Sequence, residues 1–444
     1  MASLSGRADR EGRSAAAPPL SAEVFGRRFL ADLGIAAPLQ GSADHPALAW
    51  RRAGLMSMTG RRDGPALVCP APLAAAADGA MLAMKAIVPA AAGLPRNGSV
   101  LLGERARLMR LERAGRTSTN GTCHLLDARD GRVALNLARP EDWELIPAWL
   151  EHDVDDLSGI AAQVRCRSVV ALVERATLLG LAVAADARSS GADWCRIDRR
   201  GKPRAALGTR PFVVDLSGLW AGPLAGALLM AAGADVVKVE SHARPDGARF
   251  GNAPFFDLLN GGKSCVTIDL AAPSGRAALA RLIARADIVI EGTRPRALQQ
   301  LGIDAEAFVG TGATWIAVTG HGRDGADAMR VGFGDDAAVA GGLSAAMNDG
   351  WGEPLFAGDA IADPLTGLLA ALAAWASWCD GGGRLIALSL RGTIAHVAQA
   401  AVKQATLQAW QRLAEDDDAP FYPLRVAPMA ARALGADNDA ILSC

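Results

Sequence analysis

Phe212-Val-Val-Asp-Leu-Ser-Gly-Leu-Trp-Ala-Gly-Pro-Leu-Ala-Gly226, followed by Leu229-Met-Ala-Ala-Gly-Ala-Asp-Val-Val-Lys-Val-Glu240, is the stretch that decides the fold. Pro211 to Leu216 is a short apolar run ending in a polar turn, the pattern of a buried strand. Gly222 and Pro223 punctuate it, and Leu224 to Ala232 reads as a helix that Gly233 is placed to stop. Val236 to Glu240 is then the next strand.

The alternation continues outward from this unit. Ser264 to Leu270, Ile288 to Glu291 and Thr314 to Thr319 read as strands, and Pro273 to Ala286 as a helix with proline near its start. Strands alternating with helices imply a parallel sheet covered on both faces, an α/β fold. Ligands of such sheets bind beyond the carboxyl ends of the strands, here Asp215 to Gly222, Glu240 to Asp246, Glu291 to Arg296 and Gly320 to Gly325. Towards the amino terminus, Val133 to Leu137 reads as a strand, Pro140 to Leu150 and Arg167 to Gly180 as helices, and Ser189 to Arg210 as a polar linker.

Composition excludes several classes. The chain has 444 residues, half of them apolar, with 46 basic and 47 acidic side chains. That balance argues against a polybasic nucleic-acid surface and against an acidic disordered chain. Seven widely spaced cysteines without a C-x-x-C pair favour neither a disulfide framework nor a zinc site, and fit a reducing cytoplasm. The first 20 residues read as disordered and lack the apolar segment of a secretory signal; the longest apolar run, Leu368 to Trp378, is too short to span a bilayer. The scattered histidines give no support to a metal site.

Motifs narrow the chemistry further. Gly320-His-Gly-Arg-Asp-Gly325 matches G-x-G-x-x-G, but no sustained helix opens at Gly325, so a loop is expected rather than a dinucleotide site. Gly262-Lys-Ser264 has Asp257 where a P-loop needs glycine. Asp363-Pro-Leu-Thr-Gly367 precedes an apolar helix, and reads as an N-cap with proline at the first helical position. The same geometry presents a carboxylate in the field of a helix N-terminus, where it can act as a nucleophile towards a thioester.

Self-comparison aligns Gly54-Leu-Met-Ser-Met-Thr-Gly60 with Gly342-Leu-Ser-Ala-Ala-Met-Asn348, and the register runs without a gap to Gly79 and Gly367. Ala75 then falls opposite Asp363, so one copy keeps a carboxylate and the other has a methyl group.

The stretch from 212 to 240 resembles the opening of the class III CoA-transferases, a family that includes formyl-CoA transferase and carnitine CoA-transferase, with alpha-methylacyl-CoA racemase as a relative. The likeness continues through Leu259-Asn-Gly-Gly-Lys-Ser-Cys-Val-Thr-Ile-Asp-Leu270, Ala286-Asp-Ile-Val-Ile-Glu-Gly-Thr-Arg-Pro295, Gly341-Gly-Leu343, Asp363-Pro-Leu-Thr-Gly367 and Gly381-Gly-Gly-Arg384. It implies a three-layer, Rossmann-like large domain with a mainly parallel sheet, a smaller α+β domain, and a cytoplasmic homodimer without membrane or nucleic-acid partners. It implies CoA transfer from an acyl-CoA to a carboxylic acid, with no permanently bound cofactor. Asp363 is the implied nucleophile, passing through a mixed anhydride and an aspartyl-CoA thioester.

The resemblance also implies CoA contacts at Trp220, Ala221, Ser241, Asp269, Leu270, Gly292, Thr293, Arg294, Phe333 and Gly334. Ser241 and Val331 stand where the family carries Arg and Lys, and Gln300 replaces another Arg. Arg249, Arg294 and Arg330, with His242 and Arg296 nearby, are expected to replace that charge. Phe333 occupies the racemase branch's histidine position and cannot exchange a proton, which ranks transferase above racemase or isomerase. A non-catalytic CoA-binding scaffold is the alternative that the altered charges favour.

The first half resembles later parts of the same family, which implies a rearranged tandem fusion. Residues 21–118 are expected to be a degenerate copy of the back of the large domain, 119–200 the small domain, and 209–444 the CoA-binding large domain.

Overall fold

A computed structural model describes residues 20–89, 91–189, 191–199, 201–204, 208–293 and 295–443. The expected disordered segment therefore lies, up to residue 19, outside the described residues.

The small sheet is antiparallel, in the order β1 (Cys123–Ala128), β2 (Gly131–Asn136), β3 (Ala182–Ala185). Between β2 and β3 the chain forms four helices, whose apolar faces bury Val133, Leu135, Ile146, Trp149, Ile160, Val164 and Leu172 together. The single helix expected over 140–150 is two, Pro140–Glu144 and Ile146–Leu150. Ser168 caps the Val169–Leu179 helix through the Ala171 N–H, and Gly180 ends it in the left-handed conformation.

The large sheet has seven strands in the order β4 (Arg196–Arg199), β10 (Arg384–Ser389), β9 (Thr314–Thr319), β8 (Ile288–Glu291), β5 (Phe212–Asp215), β6 (Asp235–Ser241), β7 (Ser264–Ile268). All pairings are parallel except β4 with β10. The linker expected over 189–210 thus contains an edge strand of the large sheet. One face of the sheet is buried with Trp315, Phe308, Leu279 and Leu282, and the other with the Ala221–Ala231 and Ala362–Cys379 helices.

Residues 20–109 do not form a core of their own. Phe29, Trp50, Leu73 and Met81 join the same apolar cluster as Leu224, Leu368 and Leu372 of the large domain. The internal alignment has a counterpart here. Gly54 and Gly342 both precede a helical segment in the left-handed conformation, at φ 85° and 94°. Gly79 and Gly367 both sit where helices touch: an added Cβ would lie 2.4 Å from Ala22 O in the first case and 2.5 Å from Ala221 O in the second. The Ala22–Asp32 and Leu73–Ile87 helices therefore pack together as the Ala221–Ala231 and Ala362–Cys379 helices do.

Candidate active site

Asp215 ends β5 facing the buried Lys263, whose Nζ lies 2.8 Å from its Oδ2 and also donates to Pro223 O at 2.8 Å. Asp215 Oδ1 accepts the Ser217 N–H at 3.0 Å. Lys238, from β6, donates to Ser217 O at 3.0 Å and pairs with Asp246 at 2.8 Å. Asp246 in turn accepts the Leu219 N–H at 2.9 Å. Burial opposes these charges, yet Lys263 and Lys238 hold the Asp215 carboxyl below its ordinary value. Paired and hydrogen-bonded, the network fixes the loop at 217–220, where Leu219 adopts φ 65°.

That loop forms part of a cavity of about 270 Å³ beyond the carboxyl ends of β5, β8 and β9. Asp363 lies in its wall with Ala221, Gly292, Thr293, Arg330 and Phe333. Arg139 reaches the same cavity from the small domain.

The helix bearing Asp363 begins at Ala362, two residues earlier than expected, with Ile361 at the cap position. Asp363 is consequently in the first turn rather than the cap itself. It faces the Gly334 N–H, which opens the Gly334–Ala340 helix. A Cβ at Gly334 would lie 2.2 Å from Asp363 Oδ2, so only glycine allows this approach. The preceding turn is held by Ala360, at φ 40°, whose N–H donates to Asp335 Oδ1 at 2.9 Å and whose carbonyl accepts the Asp363 N–H at 2.9 Å.

The electrostatics depend on residues that carried no sequence signal. Arg105, on the Val100–Met109 helix, grips Asp359 through two hydrogen bonds of 2.7 and 2.5 Å. Its guanidinium lies 4.5 Å from the centre of the Trp220 ring. Burial alone would lower the Arg105 pKa, but Asp359, Asp335 and Asp363 hold it above its ordinary value. Burial pushes the Asp363 carboxyl up to about 7; Arg105 opposes the rise, and Asp336 and Asp359 add to it. Asp335 is likewise pushed up to about 7 by burial, with Asp359 adding to the rise and Arg105 opposing it. Asp336 accepts from Asn136 Nδ2 and from the Phe333 N–H, both at 2.9 Å.

The other expected contacts are dispersed. Trp220 is buried beneath Arg105 and edge-on to Phe255. Ser241 ends β6, and Asp269 accepts the Ala271 N–H at 3.0 Å in the turn after β7, beside the half-buried Leu270. Arg249 is paired with Glu240, lies over Phe256 and donates to Arg432 O at 3.0 Å. None of Ser241, Arg249, Asp269 and Leu270 lines the cavity around Asp363. Arg294 lies outside the described residues. Gly325 opens only a five-residue 3-10 turn, as the loop reading of Gly320–Gly325 expects. Among the described residues no His, Cys, Asp or Glu group is placed to hold a metal, and no helix is long and apolar enough to cross a membrane.

Residues 211–428 match the family model described as CoA-transferase family III. Over this stretch the chain resembles CoA-transferase family III. The family III segment contains β5 through β10 and Asp363. The chain is 33% identical over 171 residues to succinyl-CoA–D-citramalate CoA-transferase of Chloroflexus aurantiacus, covering 36% of this chain and 42% of that protein. It is 33% identical over 173 residues to succinate–glutarate CoA-transferase of Agrobacterium fabrum, covering 35% of this chain and 43% of that protein. The match therefore spans less than half the length of these curated relatives. A crystal structure of a CAIB/BAIF family protein from Brucella suis aligns with a TM-score of 0.38 at 28% identity, over 51% of this chain and 60% of that one.

Proposed function

We propose that this protein transfers CoA from an acyl-CoA to a carboxylic acid, with Asp363 as the nucleophile. The observation that carries the reading is a carboxylate in the first turn of a helix, opening onto a cavity at the strand ends of a family III segment.

The steps balance without a cofactor. The Asp363 carboxylate attacks the thioester carbonyl, the C–S bond breaks, and CoA thiolate leaves behind an aspartyl mixed anhydride. The thiolate attacks the Asp363 acyl carbon and releases the donor as a carboxylate, leaving an aspartyl-CoA thioester. The acceptor carboxylate attacks that thioester, releasing thiolate and forming a second anhydride. Thiolate attack on the acceptor's carbonyl then restores Asp363. No proton enters or leaves, so Asp363 must react as its anion. The Gly334 N–H and the Arg105 charge favour that anion, while burial keeps it poorly solvated and reactive. Trp220, Ala221, Gly292 and Thr293 are among the expected CoA contacts, and the last three line the cavity with Asp363.

The test is mass spectrometry of the intact protein after incubation with a panel of acyl-CoAs. A CoA adduct on Asp363, absent in Asp363→Ala, supports the reading. CoA binding with neither adduct nor exchange for any donor favours a scaffold instead.

A further inference from the structure

Gly320 and Gly322 line the cavity that holds Asp363, but His321 between them does not. Its imidazole turns inward and is 4% exposed. There it faces Asp336, with Nε2 3.7 Å from Oδ2. Among the described residues, both ring nitrogens of His321 and Oδ2 of Asp336 lack a hydrogen-bond partner. Buried polar groups are rarely left so, and these two face each other. The ring also lies against Gly332, where an added Cβ would fall 2.7 Å from Nε2 and 3.3 Å from Asp336 Oδ2. A Cβ at Gly320 would in turn fall 2.8 Å from Gly332 Cα, so the two loops approach through glycine on both sides.

Asp336 links this contact to the nucleophile. Its Oδ1 already accepts the Phe333 N–H and, from the small domain, Asn136 Nδ2, which leaves Oδ2 for a third donor. Phe333 precedes Gly334, whose N–H faces Asp363. A donor on Oδ2 fixes the carboxylate that holds this turn, and with it the direction of the Gly334 N–H. It also offsets the negative charge of Asp336, which works against the Asp363 anion. Arg105, Asp335 and Asp359 act on Asp363 as well, but Arg105 is engaged with Asp359 and does not supply that donor. Cys123, on β1, is the other titratable neighbour. Burial, with Asp336 and Asp335 adding to it, pushes its thiol well above the ordinary value, and a thiol is a weaker donor than an imidazole.

We infer that His321 is a positioning residue, whose Nε2–H donates to Asp336 Oδ2 and so holds the Gly332–Gly334 turn that presents the Gly334 N–H to Asp363. A movement of under about 1 Å brings the pair into hydrogen-bond range. The ring does not line the cavity, so it acts through Asp336 and exchanges no proton with a substrate. Its effect on rate rests on the CoA-transfer reading of Asp363; the hydrogen bond itself does not.

The experiment uses the full chain labelled with nitrogen-15 at histidine. In long-range proton–nitrogen NMR spectra at pH 8, the His321 signals are those lost in His321→Phe. A proton on Nε2 is expected; Nε2 without one overturns the inference, whatever the activity of the chain. Single-turnover adduct formation is then followed across pH. His321→Phe keeps a ring and removes the donor, and is expected to be about tenfold slower at pH 7. Its pH midpoint should move upward, because Asp363 loses the Gly334 N–H while the Asp336 charge stays uncompensated. His321→Gln keeps an N–H donor and is expected to recover most of the rate and of the midpoint. A packing role favours the ring over the amide, so His321→Phe as fast as His321→Gln overturns the inference. In an Asp336→Asn background, His321→Phe is expected to slow the reaction by no more than about twofold further, since the residue it acts through is already changed. A repeat of the full loss overturns the inference; if that double variant does not fold, the order of the two single variants decides. No adduct with any acyl-CoA sinks the transfer reading alone, and the Nε2 proton then decides this inference by itself.

Discussion

Arg105 and Asp359 meet through two hydrogen bonds of 2.7 and 2.5 Å, joining a helix of the amino-terminal half to the turn four residues before Asp363. The pair spans 254 residues of sequence, and Arg105 also lies over Trp220 at the start of the Ala221–Ala231 helix. The amino-terminal half is thus part of the candidate site as well as of the core.

Removing this link leaves a fully buried carboxylate without its cation. Arg105→Met is expected to cost about 3–5 kcal/mol, as loss of one partner of a buried pair does. Thermal denaturation measures it. Asp359→Asn with Arg105→Met is expected to recover part of the loss, because no unpaired charge then remains buried. In the fraction that folds, the pH needed for adduct formation shifts upward, since Arg105 holds the Asp363 pKa down.

The pH dependence of activity and of stability should have opposite signs. Asp363 reacts as an anion and its carboxyl is pushed up to about 7, so adduct formation rises with pH and levels off above that value. A folded-state pKa above the unfolded one means that the native state binds the extra proton. Stability from this group is present at acidic pH and is lost as pH rises from the unfolded value towards about 7. Asp335 contributes with the same sign. Asp363→Asn should therefore raise Tm more at pH 8 than at pH 5 while abolishing the adduct. An equal effect at both pH values would contradict this.

Gly334→Ala tests the contact between two helix starts. The new Cβ would fall 2.2 Å from Asp363 Oδ2 and 2.3 Å from Ala360 O, so the carboxylate must leave the Gly334 N–H. Adduct formation is expected to fall by a hundredfold or more, with about 1–3 kcal/mol of lost stability from overpacking. Single-turnover mass spectrometry and denaturant unfolding separate the two effects.

Much of this was legible before the structure, and the residues explain where legibility stopped. The strands at Phe212–Asp215, Asp235–Ser241 and Thr314–Thr319 are runs buried on both sides, and such runs announce themselves. β4 did not, because Arg196-Ile-Asp-Arg199 is an edge strand paired only with β10 and needs few apolar residues. Arg105 carries no motif, and its partner lies beyond the entire small domain, so spacing could not find it. Asp335 and Asp336 follow Gly334 directly, but adjacent carboxylates in a sequence read as a solvated turn, and only the fold buries them. Arg139 was hidden for the same reason as Arg105: it enters the cavity from the small domain.

The matched helix contacts at Gly79 and Gly367 predict matched sensitivities. Gly79→Ala brings a methyl group within 2.4 Å of Ala22 O, and Gly367→Ala within 2.5 Å of Ala221 O. Each should lose about 1–3 kcal/mol in denaturant unfolding. Only Gly367→Ala, one turn beyond Asp363 on the same helix, is expected to slow adduct formation in the folded fraction.

Ala75→Asp asks whether the amino-terminal copy could ever regain a nucleophile. Ala75 is 1% exposed and sits among Leu73, Met81 and the other apolar residues of the shared core. At Asp363, by contrast, a guanidinium and a free backbone N–H compensate the charge. A carboxylate at 75 would enter the apolar cluster without the Arg105 and Gly334 partners that Asp363 has, and would be driven to its neutral form. The expected outcome is a large fall in Tm and one CoA adduct per chain, still on Asp363. Two adducts per chain would show that the copy kept a working site and lost only its carboxylate.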